Sequence, residues 1–211
     1  LIDAGLSAKA IAARLALLGI APHSINALLI SHEHTDHVRG VNVWCRRFGA
    51  QVYATGATHK AISPRLGPHV HVKHFRAGEK MEIGPFCFTP FHVSHDAEEP
   101  VGFVIESSGP GRAGSRLGVV TDIGCATSLV RQRLQGLDAL ILESNHDLRM
   151  LMEGPYPWPV KDRIRRNHGH LSNEQSGKLL AEVAHPGLSA VVLAHLSEIN
   201  NRPDLALESA T

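Results

Sequence analysis

The chain has 211 residues, 43% of them hydrophobic and 19% charged, which suits one sizeable globular domain over residues 1–211. Its 21 basic and 20 acidic side chains nearly cancel, so net charge gives no argument for nucleic acid or a membrane surface, and no apolar run is long enough to span a bilayer. Cys45, Cys87 and Cys125 are odd in number and lack C-x-x-C spacing, which argues against a disulfide framework and for buried thiols in a reducing, cytoplasmic compartment.

Leu1-Ile2-Asp3 reads as a short buried strand, and a chain that opens inside a strand is expected to lack the first N-terminal strands of its domain. Gly5 turns the chain, and Ser7 caps a helix over 8–18 whose Ile11, Leu15 and Leu18 share a face before Gly19 ends it. The apolar run 27–30 is a buried strand. A helix over 38–48 follows with Val41, Trp44 and Phe48 inward, then a strand over 51–54 and a helix over 58–63 closed by Pro64. From His69 the pattern becomes short alternating strands, at 69–72, 81–83, 86–91, 101–106 and 117–121, split by Gly and Pro in the manner of an antiparallel meander. Residues 109–115 form a Gly-rich turn, and no G-K-[ST] or following helix makes it a phosphate loop. The remainder alternates again: helix 129–134, strand 138–143, a Pro-interrupted excursion over 150–166, helix 172–184, strand 190–194 and a further helix from Pro203. In helix 172–184, Ser172 is the N-cap and Gln175 stands at the capping-box position. Strands with helices outside them predict an α/β fold of two sheets packed face to face, in four layers αββα.

One stretch carries chemistry. Ser31-His32-Glu33-His34-Thr35-Asp36-His37 stands directly after the apolar run Ala27-Leu28-Leu29-Ile30, so a strand end presents three imidazoles and carboxylates together. Neutral imidazole and carboxylate hold zinc, manganese or iron. The bland alternative is a polar loop in a chain with 15 histidines. Further ligands belong at strand ends, where distant segments converge, and His95, Asp122 and His195 each end an apolar run. A lone histidine in that position is more often a satisfied structural residue. Three such positions beyond one H-x-H-x-D-H favour a metal centre. The other histidines, among them His59 and His74, lack ligand spacing to the cluster, and His92 points away from His95 in an alternating strand.

With these residues quoted, the sequence resembles metallo-β-lactamase-fold phosphodiesterases over essentially its whole length. The resemblance implies two divalent ions, Zn²⁺ or Mn²⁺. His32, His34 and His95 match the first-metal ligands, Asp36, His37 and His195 the second-metal ligands, and Asp122 the bridging carboxylate. It implies too that Asp3, in Leu1-Ile2-Asp3-Ala4-Gly5, braces the metal loop from behind. Ser94-His95-Asp96-Ala97 with Pro100-Val101-Gly102, and Gly169-His170-Leu171-Ser172-Asn173, look like the YycJ/WalJ branch of DNA exonucleases. That branch implies a 5′-to-3′ DNA exonuclease in which a hydroxide bridged by two metals is the nucleophile. Similarity to ribonuclease Z-like phosphodiesterases implies His170 as general acid, oriented by Glu143, with Asp36 the remaining catalytic residue.

A local basic run, Lys161, Arg163, Arg165 and Arg166, precedes His168 and His170, so Arg165, Arg166, His168 and Ser172 are candidates for holding a nucleic-acid backbone, or the run is a solvated helix face. Tyr156 and Trp158 either stack on bases or pack beneath the Pro-rich segment. Asn145 and His146 are open between substrate-side and supporting roles. Two competing readings stand beside the nuclease: a hydrolase of a small thioester, lactone or β-lactam on the same fold, and a non-catalytic binding scaffold.

Overall fold

The structure, a computed structural model, describes residues 1–107 and 114–211; most of the Gly-rich turn expected over 109–115 lies outside them. The chain forms two compact units, Leu1–Glu79 with Ala97–Pro100, and Lys80–Asp96 with Val101–Thr211.

The first unit holds a three-stranded parallel sheet, β1 (Ala27–Leu29), β2 (Gln51–Ala54) and β3 (Val72–His74), in that order. Its helices are α1 (Ala8–Leu17), α2 (Thr35–Val38), α3 (Val41–Phe48) and α4 (Gly56–Ile62). Ser7 starts α1 by accepting the Ala10 N–H, and Thr55 starts α4 by accepting the Thr58 N–H. Ile11, Leu28, Ile30, Val41, Trp44, Val52 and Ile62 form one buried core, with Leu15 and Phe48 partly buried against it.

Four expectations change here. The stretch Leu1-Ile2-Asp3 is not a buried strand: only Ile2 bridges Leu29, and Leu1 is exposed. Leu18 is 74% exposed, because α1 ends at Leu17 and the chain turns out of its face at Gly19. The single helix expected over 38–48 is two, since the Gly40 N–H is donated to the Ala4 carbonyl (2.7 Å) and not to the preceding turn. The strand after His69 belongs to this parallel sheet and not to the meander. Its partner is β2, reached through α4, and period-two alternation carries no information about which neighbour a strand pairs with.

The second unit holds a six-stranded sheet in sequential order: β4 (Met81–Ile83), β5 (Phe86–His92), β6 (Val101–Ser107), β7 (Arg116–Val120), β8 (Ala139–Glu143) and β9 (Ala190–Ala194). The pairings from β4 to β7 are antiparallel, as the meander pattern predicts, and β7–β8 and β8–β9 are parallel. The parallel strands are joined through helices, α5 (Ser128–Arg133) before β8, and α6 (Leu148–Glu153), α7 (Trp158–Arg165) and α8 (Asn173–Val183) before β9; α9 (Pro203–Glu208) follows. The capping box forms: Ser172 Oγ accepts the Gln175 N–H, and the Gln175 side chain accepts the Ser172 N–H (2.9 Å). Phe91, Val120, Ile123, Leu134, Leu140, Leu142, Leu171 and Leu179 make the core. Of the cysteines only Cys45 is buried, and burial pushes its thiol up to about 11; Cys87 and Cys125 are half-buried, because each is at the margin of its apolar neighbours. Among the described residues no helix is long and apolar enough to cross a membrane.

Candidate metal centre

Three non-glycine residues have positive φ among the described residues: Asp3 (53°), Asp122 (57°) and His195 (56°). All three are candidate site residues. An L side chain enters the left-handed region at a cost, and such conformations persist where the surroundings over-determine them, which happens most at functional sites.

In the first unit the strand β1 hands over at Ile30 to Ser31 and the histidine loop, and α2 carries Asp36 and His37 in its first turns. Asp3 ties this loop down. Its Oδ1 accepts the Ser31 N–H (2.8 Å), and its Oδ2 accepts both the Ser31 hydroxyl (2.7 Å) and His37 Nδ1 (2.7 Å). Ser31 Oγ stands 3.0 Å from His32 Nδ1 and, its own proton given to Asp3, accepts there. These bonds favour the protons of His32 and His37 on Nδ1, which leaves the Nε2 lone pair of each available to a metal. His32 Nε2 then meets His34 Nδ1 at 3.0 Å, and His37 Nε2 meets Asp36 Oδ2 at 3.6 Å. Gly5 is needed for this arrangement: a Cβ there would lie 1.4 Å from the Asp36 carbonyl oxygen.

In the second unit the candidates stand at the ends of β7, β8 and β9 and in the loops after β5 and before α8. Asp122 follows β7, Glu143 closes β8, His195 follows β9, His95 follows β5, and His170 precedes α8. Ligand atoms of Asp122, Glu143, His170 and His195 lie within 4.8 Å of one another. His195 Nε2 is 3.4 Å, and His95 Nε2 3.9 Å, from Asp122 Oδ1. The opposite ring nitrogens are anchored again: His95 Nδ1 to the Gly169 carbonyl (3.1 Å) and His195 Nδ1 to Glu143 Oε1 (2.8 Å). Gly124, two residues beyond Asp122 as Gly5 is beyond Asp3, admits the loop that bears His170: a Cβ there would be 2.3 Å from the Asn167 carbonyl oxygen.

Glu143 is the hub. It is fully buried and accepts five hydrogen bonds, from His170 Nδ1 (2.9 Å), His195 Nδ1 (2.8 Å) and the N–H groups of Asp122, Ile123 and Leu171. Burial works to raise its carboxyl, but the bonds from His170 and His195 outweigh it and hold the group below the usual range, so it is an anion at neutral pH. Burial lowers His95, against the opposing pull of the Asp122 carboxylate, so it is a neutral imidazole of the kind a metal takes. The donor set in each unit fits divalent metal: imidazoles beside carboxylates, with the far nitrogens of His32, His37, His95 and His195 hydrogen-bonded to an oxygen.

The residues proposed for substrate sit differently. Arg165 and Arg166 both pair with Asp162, and Arg163 pairs with Asp96 (2.5 Å). His168 is exposed, with Nδ1 3.2 Å from Ser94 Oγ, and the Ser172 hydroxyl is committed to its helix cap. Arg165 lies over the exposed Trp158 ring at 5.3 Å. Asn145 donates to the His195 carbonyl (2.9 Å). His146 is buried, and its Nδ1 has no hydrogen-bond partner among the described residues. His59 and His74, given no ligand role, bond each other at 2.7 Å. Sequence reasoning missed Ser31, Gly5 and Gly124; the repeated D-x-G after a strand was a signal for the two glycines, and none marked the serine.

The sequence model of the family described as "Beta-lactamase superfamily domain" matches residues 1–196. Exodeoxyribonuclease YycJ of Bacillus anthracis is 34% identical over 213 residues, a match that covers 100% of this chain and 79% of YycJ. Exodeoxyribonuclease WalJ of Streptococcus pneumoniae serotype 2 is 34% identical over 210 residues, 98% of this chain and 76% of WalJ. Among solved structures, the metallo-β-lactamase fold protein YhfI from Bacillus subtilis has a TM-score of 0.71 at 19% identity, covering 99% of this chain and 78% of YhfI, a likeness of fold.

Proposed function

We propose, for a chain that belongs to the beta-lactamase superfamily and is a metal-dependent hydrolase of that fold, that its substrate is nucleic acid and its activity that of a 5′-to-3′ DNA exonuclease. The observation that carries this reading is Glu143, whose one oxygen holds both His170 and the candidate ligand His195. A phosphodiester has a poor leaving oxygen that needs a proton as it departs, and a positioned imidazole supplies it. Hydrolysis of a thioester, lactone or β-lactam does not require that pair. The exodeoxyribonuclease relatives, matched over three quarters of their length, point the same way.

In this reading His32, His34, Asp36 and His37 of the first unit and His95, Asp122 and His195 of the second would be the ligands of two divalent ions, with Asp3 bracing the histidine loop through His37 and Ser31. Zn²⁺ or Mn²⁺ suits the donors. When bound, the ions supply water activated near neutral pH and a positive clamp on the phosphate oxygens. The chain's own residues do the rest. Glu143 accepts the His170 Nδ1 proton and fixes the ring, and the ring acts in its doubly protonated form, giving the second proton from Nε2 to the leaving oxygen as the P–O bond breaks and returning to the neutral form. Arg165, Arg166 and His168 contact the backbone phosphates, the arginines by exchanging Asp162 for substrate. Ser172 acts through the cap that sets the end of the His170 loop.

A substrate panel tests the proposal. Metal-loaded protein is offered bis-p-nitrophenyl phosphate, labelled single-stranded DNA, a glutathione thioester and a chromogenic cephalosporin. Turnover of the first two is expected; turnover of only the last two overturns the nuclease reading.

A further inference from the structure

A cleft of about 340 Å³ opens beside His170 in the second unit, and His195, Tyr156, Ile164, Glu198 and Ile199 share its wall. Its volume is at the small end of the roughly 300–1,000 Å³ of small-molecule sites, room for one nucleoside and not for a length of strand. Tyr156 occupies it from the segment between α6 and α7, where Pro155 and Pro157 flank it. Pro155 has a fixed φ, and a residue before proline is held extended, so the tyrosine backbone has little freedom left to lose. An aromatic ring with two torsions on such a backbone is a preformed stacking surface. Ile164 and Ile199 add apolar surface for the other parts of a base, and Glu198 puts an exposed carboxylate on the wall.

The cleft has a direction. His170, the proton donor of the proposed reaction, is on its wall, so a group in the cleft lies beside the leaving oxygen. Glu198 makes it unsuited to a phosphate and suited to the N–H groups of a base. We infer that this cleft binds the terminal nucleoside of the DNA strand, the one whose 3′-oxygen leaves, and that Tyr156 stacks on its base. The inference rests on the nuclease reading and names the substrate group that the site grips. It accounts for exonucleolytic action: a cleft with room for one nucleoside suits a strand end and not a continuous strand. Stacking tolerates any base, so the pocket measures the end and not the sequence.

The experiment is a cycle of wild type and Tyr156→Ala on two substrates, with Tyr156→Phe as the control and the metal-loaded full chain throughout. Single-stranded oligonucleotides carry either a normal 5′-terminal nucleotide or an abasic tetrahydrofuran one. With the normal end, Tyr156→Ala is expected to raise KM roughly tenfold and Tyr156→Phe to restore it, since stacking needs the ring and not the hydroxyl. With the abasic end, wild-type protein is expected to show the same tenfold rise, and Tyr156→Ala to add nothing to it. An equal rise in KM for Tyr156→Ala on both substrates would make the residue structural and overturn the inference, as would a wild type indifferent to the abasic end. A wild type that cleaves neither oligonucleotide overturns the nuclease reading itself, a result distinct from the other two.

Discussion

Replacing Glu143 with glutamine alters hydrogen-bonding sense at one buried point and leaves shape unchanged. The carboxylate accepts three bonds at Oε1, from His170, His195 and the Asp122 N–H, and two at Oε2, from the Ile123 and Leu171 N–H groups. An amide has one accepting end. With its NH₂ toward Ile123 and Leu171, two buried backbone donors lose their acceptor, and at about 1.5–3 kcal/mol for each bond to a charged group the loss is roughly 3–6 kcal/mol. With its NH₂ toward the histidines, both rings can move their protons to Nε2, and the stability cost falls to about that of the Asp122 bond alone. His195 then presents a proton where its Nε2 should present a lone pair to metal. Either orientation is damaging against a total stability of about 5–15 kcal/mol. Glu143→Gln is therefore expected to lose about 2 kcal/mol or more in urea unfolding of the metal-free protein, or 10- to 100-fold in metal affinity. Turnover should fall about 10²-fold or more. Unfolding within about 0.5 kcal/mol of wild type, with unchanged metal affinity and turnover, would refute the assignment of Glu143 as hub.

His170→Ala should retain bound metal and lose about 10²–10⁴-fold in DNA turnover, with the loss shrinking as the leaving group becomes more acidic, because a good leaving group needs no proton; a loss independent of the leaving group counts against the proton-donor role. Gly124→Ala drives a methyl into the backbone of the His170 loop, 2.3 Å from the Asn167 oxygen, and is expected to cost about 1–3 kcal/mol in thermal unfolding and to lower turnover. Wild-type melting and turnover would show that the loop gives way freely. Burial pushes His146 down to about 4. Between pH 6.5 and 4 the unfolded chain takes up a proton at this residue and the folded chain does not, so stability is lost as pH falls through that window. The full loss is about 3 kcal/mol. His146→Gln should flatten that part of the pH profile in denaturant unfolding, and an unchanged slope would contradict it.

The candidate ligands stand out in the sequence because metal-binding side chains cluster locally. His32, His34, Asp36 and His37 share one loop, and His95, Asp122 and His195 end apolar runs, which is where strands deliver side chains. What holds them was less visible. Ser31 relays between Asp3 and His32 through a hydroxyl that any polar loop could carry. The left-handed backbone at Asp3, Asp122 and His195 leaves no mark in residue type, since glycine would be the usual sign. Strand partners were also beyond the pattern, and β3 joined the parallel sheet because tertiary pairing, not alternation, chose its neighbour. The basic run before His168 left a phosphate-binding patch and a solvated helix face both open in the sequence; Asp162 pairs with Arg165 and Arg166 within one helical turn, whereas the Asp96 partner of Arg163 is 67 residues away and leaves no local mark.

The most direct measurement follows release of a 5′-terminal label from single-stranded DNA by protein stripped of metal with chelator and then restored with Mn²⁺ or Zn²⁺. The account predicts no release from the stripped protein and stepwise release of labelled mononucleotide once about two equivalents of metal are returned. Release that continues without metal, or a restored protein that leaves the DNA intact, would contradict it.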